Sequence, residues 1–293
     1  MQKPRRSMLY MPATNARAVE KARSLPVDAL ALDLEDSVAP EKKNEARNAA
    51  AAAVATGGFG RREVVIRTNG PDTAWFDDDF AVAQKAAPDA ILVPKVERTE
   101  DLSRIAAAFR RHATPERTRL WIMMETPLAV LNAHPLAEAS RSIPDCRLET
   151  FVLGNNDIQK VTRSLDHPER IPLMFAIQSL IMAARAYGLS MLDGVYNNFK
   201  DLDGFRRECE QGRLLGMDGK TLIHPSQIEI ANAAYGPQPA EVDRALRIIA
   251  AFETPEAKGK GAINFEGEMV ELLHLEIARR TVEMASNIAQ AAR

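Results

Sequence analysis

Most residues of this chain that could hold a charge or move a proton beside a substrate sit at the ends of short apolar runs. ALALDLED carries Asp33, Glu35 and Asp36, VVIRTN carries Arg67 and Asn69, and ILVPKVE carries Lys95 and Glu97. WIMMETP supplies Glu125, FVLGNND supplies Asn155, Asn156 and Asp157, SMLDG supplies Asp193, and TLIHP supplies His224. Carboxylates converging from several run ends cannot share a small space unpaired, because each would be driven toward protonation. A hard divalent cation resolves the conflict, with one or two carboxylates, water and substrate completing its shell. Glu125 and Asp157 are the best ligand pair; the competing reading is that they pair with Arg67 or Lys95. Arg67 interrupts an apolar stretch and needs an anion, either a substrate carboxylate or developing enolate oxygen, or a carboxylate of the fold itself. Lys95 could form a Schiff base, but among so many carboxylates it reads better as a charged partner. His224, beside Pro225, reads as a structural hydrogen-bonder at a turn before it reads as a base.

The elements that must position these groups follow from the same runs. SMLYMP, ALALDLE, EVVIRTN, DAILVPKVE, RLWIMMET, ETFVLG, LSMLDGVY and KTLIHP alternate with Ala-rich helical stretches over residues 41–55, 77–87, 101–112, 128–139, 172–187 and 203–215. The runs are near-continuously apolar, as a parallel strand covered on both faces requires. Eight strand–helix units fit an α/β fold of the (β/α)8 TIM-barrel type better than an open doubly wound sheet, and no GxGxxG follows any strand. Barrel active sites lie at the C-terminal strand ends, which is where the chemistry-bearing residues fall. Residues 1–236 are expected to form this barrel. Residues 237–293 are expected to form a C-terminal extension outside its repeat: a capped helix over PQPAEVDRALRIIAAFE, a flexible basic turn at AKGKGA, and a final helix over GEMVELLHLEIARRTVEMASNIAQ. The apolar stripe of that helix (Met269, Leu272, Leu273, Leu275, Ile277) must pack on something. A barrel mouth, its own or a neighbouring subunit's, is the natural surface.

With 293 residues, 46% hydrophobic and 27% charged, the chain can bury a large core and does not read as disordered. A formal net charge of −2 argues against nucleic acid as a partner. No run approaches the ~18 apolar residues of a membrane span. Two cysteines, Cys146 and Cys209, suggest inert thiols in a reducing cytoplasm.

In order along the chain, RRSMLYMPATN, ALDLEDSVAPEKKNEAR, VIRTNG, VPKVE, METPLAV, LGNNDI, LLGMDGKTLIHPSQI and GKGAINFEGEMVE resemble the motifs of the HpcH/HpaI aldolase and citrate lyase β-subunit-like family. Each motif is short; their combined order over nearly the whole chain is specific. The closest likeness is to lyases of malyl-CoA and citramalyl-CoA. The resemblance implies a bound Mg²⁺, with Glu125 and Asp157 as its ligands. It implies a homotrimer or hexamer whose tail reaches over a neighbour's site. Arg67 resembles the arginine that holds the oxoacid or enolate oxygen. Tyr10 and Lys21 match positions touching the CoA ester, and Lys43 and Arg47 would extend that anion-binding surface.

Two departures stand out. Glu271 occupies the place of the aspartate that family members supply as acid/base from the tail, one methylene longer. Ala13 stands where glycine is usual after the first strand. The implied reaction is cleavage, or the reverse condensation, of a β-hydroxyacyl-CoA into acetyl-CoA or propionyl-CoA and a 2-oxo acid such as glyoxylate or pyruvate. The alternatives are a malyl-CoA thioesterase, a malate or citramalate synthase, a citrate lyase β-subunit, an aldolase without CoA and a silent CoA-ester binder.

Overall fold

Strands that are apolar on both faces have no edge to spare for solvent, and here they close on themselves. Eight of them, β1 (Ser7–Pro12), β2 (Ala29–Asp33), β3 (Glu63–Arg67), β4 (Ala90–Val93), β5 (Arg119–Met124), β6 (Leu148–Leu153), β7 (Ser190–Asp193) and β8 (Gly219–Leu222), pair in parallel in sequence order. β8 pairs back onto β1 and completes a closed TIM barrel. All eight expected strands are present, in a computed structural model that describes residues 3–111 and 114–291. His112, the expected end of one helix, lies outside the described residues.

The barrel interior is filled by Met8, Ala29, Ala31, Val65, Ala90, Leu92, Trp121, Met123, Val152 and Leu192, with Tyr10 packed against them. Alanines on β2 and β4 leave room for the fully buried Trp121 ring, the size alternation a small barrel needs. Truncating that ring to alanine would cost about 3–5 kcal/mol. Register sets the functional level: Pro12, Asp33, Arg67 and Leu92 lie on one rung across β1 to β4. Asp33 and Arg67 are therefore neighbours by pairing alone.

Turns after the strands are sharp where the site requires it. Thr126 accepts from the Ala129 N–H at 3.1 Å with Pro127 following, so the chain turns abruptly after β5 and leaves Glu125 just beyond the strand end. After β6 a helix the sequence reading did not anticipate, Asn155–Thr162, starts at once and places Asp157 in its first turn. The longer segment that follows is anchored by Arg170, whose Nη1 donates to both oxygens of the buried Asp193 at 2.7 and 2.8 Å. Lys220 of β8 donates to Asp193 at 3.0 Å and to Glu208 at 2.6 Å, so this charge cluster lies between strand and helix, not in the mouth. Ala13 is buried with its N–H on the Asp33 carbonyl at 3.1 Å, and its φ is not positive; the extra Cβ is accommodated. Cys146 and Cys209 are buried, and burial raises both thiols above their ordinary range, as inert residues should be.

Two compact units divide the chain: Arg5–Ala234, and Tyr235 onward together with the residues before Arg5. The second holds the helix Pro239–Phe252, a hairpin of β9 (Ala262–Phe265) and β10 (Glu268–Glu271), and the helix Leu272–Ala291. The expected basic turn at 257–262 leads into this hairpin, and the start of the expected last helix, Gly267 to Glu271, belongs to the hairpin instead. Glu266 and Gly267 both take positive φ, 55° and 86°, as a tight two-residue hairpin turn demands, and the helix starts only at Leu272. Ala245, Ile248, Phe265, Val270 and Ala278 form this unit's own core. Of the predicted stripe only Leu275 is buried; Met269, Leu272, Leu273 and Ile277 are exposed. Among the described residues no helix is long and apolar enough to cross a membrane.

Candidate active site

At the C-terminal end of β2 and β3, Arg67 lays its guanidinium fork on Asp33, with Nε and Nη2 each 2.7 Å from a carboxylate oxygen. Asp33 also accepts from the Glu35 N–H at 2.9 Å and from the Ser37 hydroxyl at 2.5 Å. Burial opposes the Asp33 charge, but Arg67 and these hydrogen bonds outweigh it and hold the carboxyl below its ordinary value. The Arg67 guanidinium stacks over the Tyr10 ring at 4.7 Å, a cation–π contact strengthened by the loss of solvent. Of the two readings of Arg67, the ion pair within the fold is realised. It leaves Nη1 turned among Glu35, Asp36 and Met123, at 2.9, 3.5 and 3.6 Å.

Glu35 is the strained member of this group. Its Oε2 is buried without a hydrogen bond despite lying 2.9 Å from Arg67 Nη1, because no N–H points along that line. Burial, opposed by Arg67 but reinforced by Glu125, Asp36 and Asp33, pushes the carboxyl up to about 8. A carboxyl that keeps its proton near neutrality beside an arginine is a proton source by disposition.

On the far side of the mouth, Lys95 spans two carboxylates. Its Nζ is 2.7 Å from Asp157 Oδ1 and 3.3 Å from Glu125 Oε1, and its backbone N–H donates to the same Glu125 oxygen at 2.9 Å. Burial raises the Glu125 carboxyl, with Lys95 opposing and Asp157 adding to the shift. Gly154 makes the close approach possible: a Cβ there would stand 2.3 Å from Glu125 Cβ and 2.9 Å from its Oε2. Lys95 as a charged partner, and not a free amine poised for a carbonyl, is what the geometry shows.

A cavity of about 300 Å³ opens between these two groups. Tyr10, Arg67, Asp33, Gly154, Asn155 and Asp157 all line it. Lys21, Lys43, Arg47 and His224 do not line it. Lys21 is exposed on the helix Ala16–Ala22 and does not line the cavity. Lys43 and Arg47 do not form the solvent-facing anion surface expected of them. Lys43 is buried and donates at 2.8 Å to the Leu34 and Glu35 carbonyls and to Asn69 Oδ1, which exhausts its three N–H donors. Arg47 is buried on Asp79 at 2.9 Å. Both hold the β2–β3 loops in place. His224 shares a 2.8 Å hydrogen bond with Ser226 and stacks on Phe199, the structural role expected. Glu271 ends β10 in the tail unit, its N–H donating to His274 Nδ1 at 3.0 Å.

The donor chemistry at Glu125 and Asp157 fits a hard divalent cation: two carboxylates, no sulfur or imidazole, already gathered around a positive charge, beside a glycine that keeps the approach open. Among the described residues no third His, Cys, Asp or Glu joins them, which suits an ion that keeps several waters or substrate oxygens. Glu35 stands in the sequence among the run-end carboxylates with no role of its own. Gly154 before Asn-Asn-Asp was the available signal for a close backbone approach.

Known proteins resemble this chain over most of its length. Residues 6–225 match the model of the HpcH/HpaI aldolase/citrate lyase family. The chain is 45% identical over 286 residues, 98% of its length and 96% of the relative's, to a Cereibacter sphaeroides protein named (3S)-malyl-CoA thioesterase. It is 31% identical over 296 residues, 98% of its length and 87% of the relative's, to human mitochondrial citramalyl-CoA lyase. Among solved structures it resembles CitE from Mycobacterium tuberculosis in complex with magnesium, acetoacetate and coenzyme A, with a TM-score of 0.75 and 25% identity over 97% of this chain and 98% of that one.

Proposed function

The chain belongs to the HpcH/HpaI aldolase/citrate lyase family, and from that premise we propose that it is a Mg²⁺-dependent enzyme acting on a malyl-type β-hydroxyacyl-CoA, with hydrolysis of the thioester as its main reaction. The observation that carries the site is a cavity walled by the Arg67–Asp33 fork on one side and Asp157, with Glu125 behind it, on the other. Hydrolysis is favoured over carbon–carbon cleavage by the 45% end-to-end identity to a malyl-CoA thioesterase, against 31% to a citramalyl-CoA lyase.

Glu125 and Asp157 would hold the cation, which would supply Lewis-acid polarisation of substrate oxygens. Asp33 fixes Arg67 at the cavity wall, and Nη1, which faces Glu35, Asp36 and Met123, is the donor that an oxygen gaining negative charge would take over, the thioester oxygen under attack by water or an enolate oxygen in the cleavage reading. Tyr10 covers the face of that guanidinium and keeps water from it. Glu271, carried by the tail, takes the proton from the attacking water; one methylene more than aspartate gives it a different reach, and in a homotrimer or hexamer it serves a neighbouring mouth. The apolar stripe left exposed on the tail supports such an assembly. Carbon–carbon cleavage is the second reading, favoured by the citramalyl-CoA lyase relative.

Purified protein with Mg²⁺ and malyl-CoA separates the two. Release of free thiol and malate without glyoxylate is the expected result. Glyoxylate and acetyl-CoA without free thiol would make the enzyme a lyase, and no turnover across CoA esters that bind would make it a binder.

A further inference from the structure

We propose that Lys95 is a resident counter-ion for the metal site, holding Glu125 and Asp157 together in the metal-free enzyme and being displaced when a divalent cation arrives; this rests on the assignment of those two carboxylates as metal ligands. Lys95 does not merely sit near them. Its Nζ lies 2.7 Å from Asp157 and 3.3 Å from Glu125, so one ammonium serves both carboxylates. Its backbone is held at φ +55°, a conformation non-glycine residues avoid, and the N–H presented there donates to Glu125 Oε1 at 2.9 Å. Main chain and side chain of one residue thus grip the same carboxylate.

Two further facts make the grip reversible. The Lys95 side chain is 39% exposed while that of Glu125 is 1% exposed, so the ammonium has a route to solvent and the carboxylate has none. Glu125 does not line the cavity, although Asp157 and Gly154 do. For Glu125 to meet a cation shared with Asp157, the ammonium between them must leave. Its four-carbon stem can swing outward from a fixed backbone, and the backbone N–H then still orients Glu125 for the incoming ion. Metal binding becomes an exchange of one cation for another. The apo-enzyme keeps a folded, charge-balanced mouth, and the metal is held less tightly than two bare carboxylates would hold it.

The test uses chelator-treated full-length protein and measures Mn²⁺ binding by the electron paramagnetic resonance of the free ion. Lys95→Met is expected to tighten Mn²⁺ binding by roughly three- to thirtyfold, and Glu125→Gln to weaken it. In a second measurement that needs no variant, amine-selective labelling of the wild-type protein read by mass spectrometry should increase at Lys95 when Mg²⁺ is added. Weaker or unchanged Mn²⁺ binding in Lys95→Met, or labelling of Lys95 that stays level or falls with Mg²⁺, overturns the exchange while leaving the ligand assignment standing. Mn²⁺ binding in Glu125→Gln as tight as in wild type removes the ligand assignment, and the exchange with it.

Discussion

The two ends of the barrel each bury an arginine, and the difference between them separates stability from chemistry. At the N-terminal end Arg5 donates to Glu63 at 2.7 and 2.9 Å, to Glu149 at 2.6 Å, and to Thr150 and Ser190 at 3.1 and 3.2 Å. It stacks over Trp121 at 4.7 Å, so every polar direction and one face are used. At the C-terminal end Arg67 makes a similar fork and a similar stack, but it shares its surroundings with a cavity, a buried Glu35 oxygen without a hydrogen bond, and two carboxylates held by a half-exposed lysine. One end is electrostatically complete. The other is complete only in the presence of something more, which is how a site built for a ligand differs from a structural plug.

Breaking the complete end should cost folding. Arg5→Met takes the guanidinium away from the buried Glu63 and from Glu149, and a loss of about 3–5 kcal/mol is expected in chemical or thermal unfolding, with little change in turnover per folded molecule. Breaking the open end should cost chemistry. Arg67→Lys keeps a positive charge beside Asp33 but loses the planar fork, and a fall of about 10²-fold in turnover is expected from steady-state kinetics. Should Arg67→Lys instead unfold the protein while Arg5→Met spares it, the contrast between the ends would be reversed.

A smaller effect sharpens the same contrast through pH. The Glu35 carboxyl is pushed up to about 8 in the fold from an ordinary value of 4.5. Between those values the folded state binds a proton that the unfolded chain has released. Stability therefore falls as pH rises from about 5 to 8. Glu35→Gln should flatten that slope, measured as the unfolding midpoint across the range; an unchanged slope would show that Glu35 is not the group responsible.

How much of this could be read from the sequence follows the range of the interactions. The barrel was legible because each strand is a local apolar run and the runs repeat. Glu125, Asp157 and Arg67 were legible as candidates because each sits at or just beyond a run's end. That Arg67 meets Asp33 follows from strand register, which a single sequence does not print. Lys43 and Arg47 were misplaced for a physical reason: a helix rich in charge reads as solvated, but here its inner face packs on Asn69 and Asp79, residues brought near only by the barrel's closure. The tail hairpin was hidden because EMVELLHL satisfies a helical spacing as well as a strand. The positive-φ pair Glu266–Gly267 decides against the helix there.

The most direct test of the account is the turnover of malyl-CoA by wild type and Glu125→Gln across a Mg²⁺ titration, with the unfolding midpoint measured on the same preparations. The account predicts wild-type activity that is lost to EDTA and restored by Mg²⁺. It also predicts Glu125→Gln turnover down by about 10³-fold at every Mg²⁺ concentration, in a variant that unfolds no earlier than wild type. A folded Glu125→Gln that hydrolyses or cleaves malyl-CoA at close to the wild-type rate would contradict it and move the reaction away from this mouth.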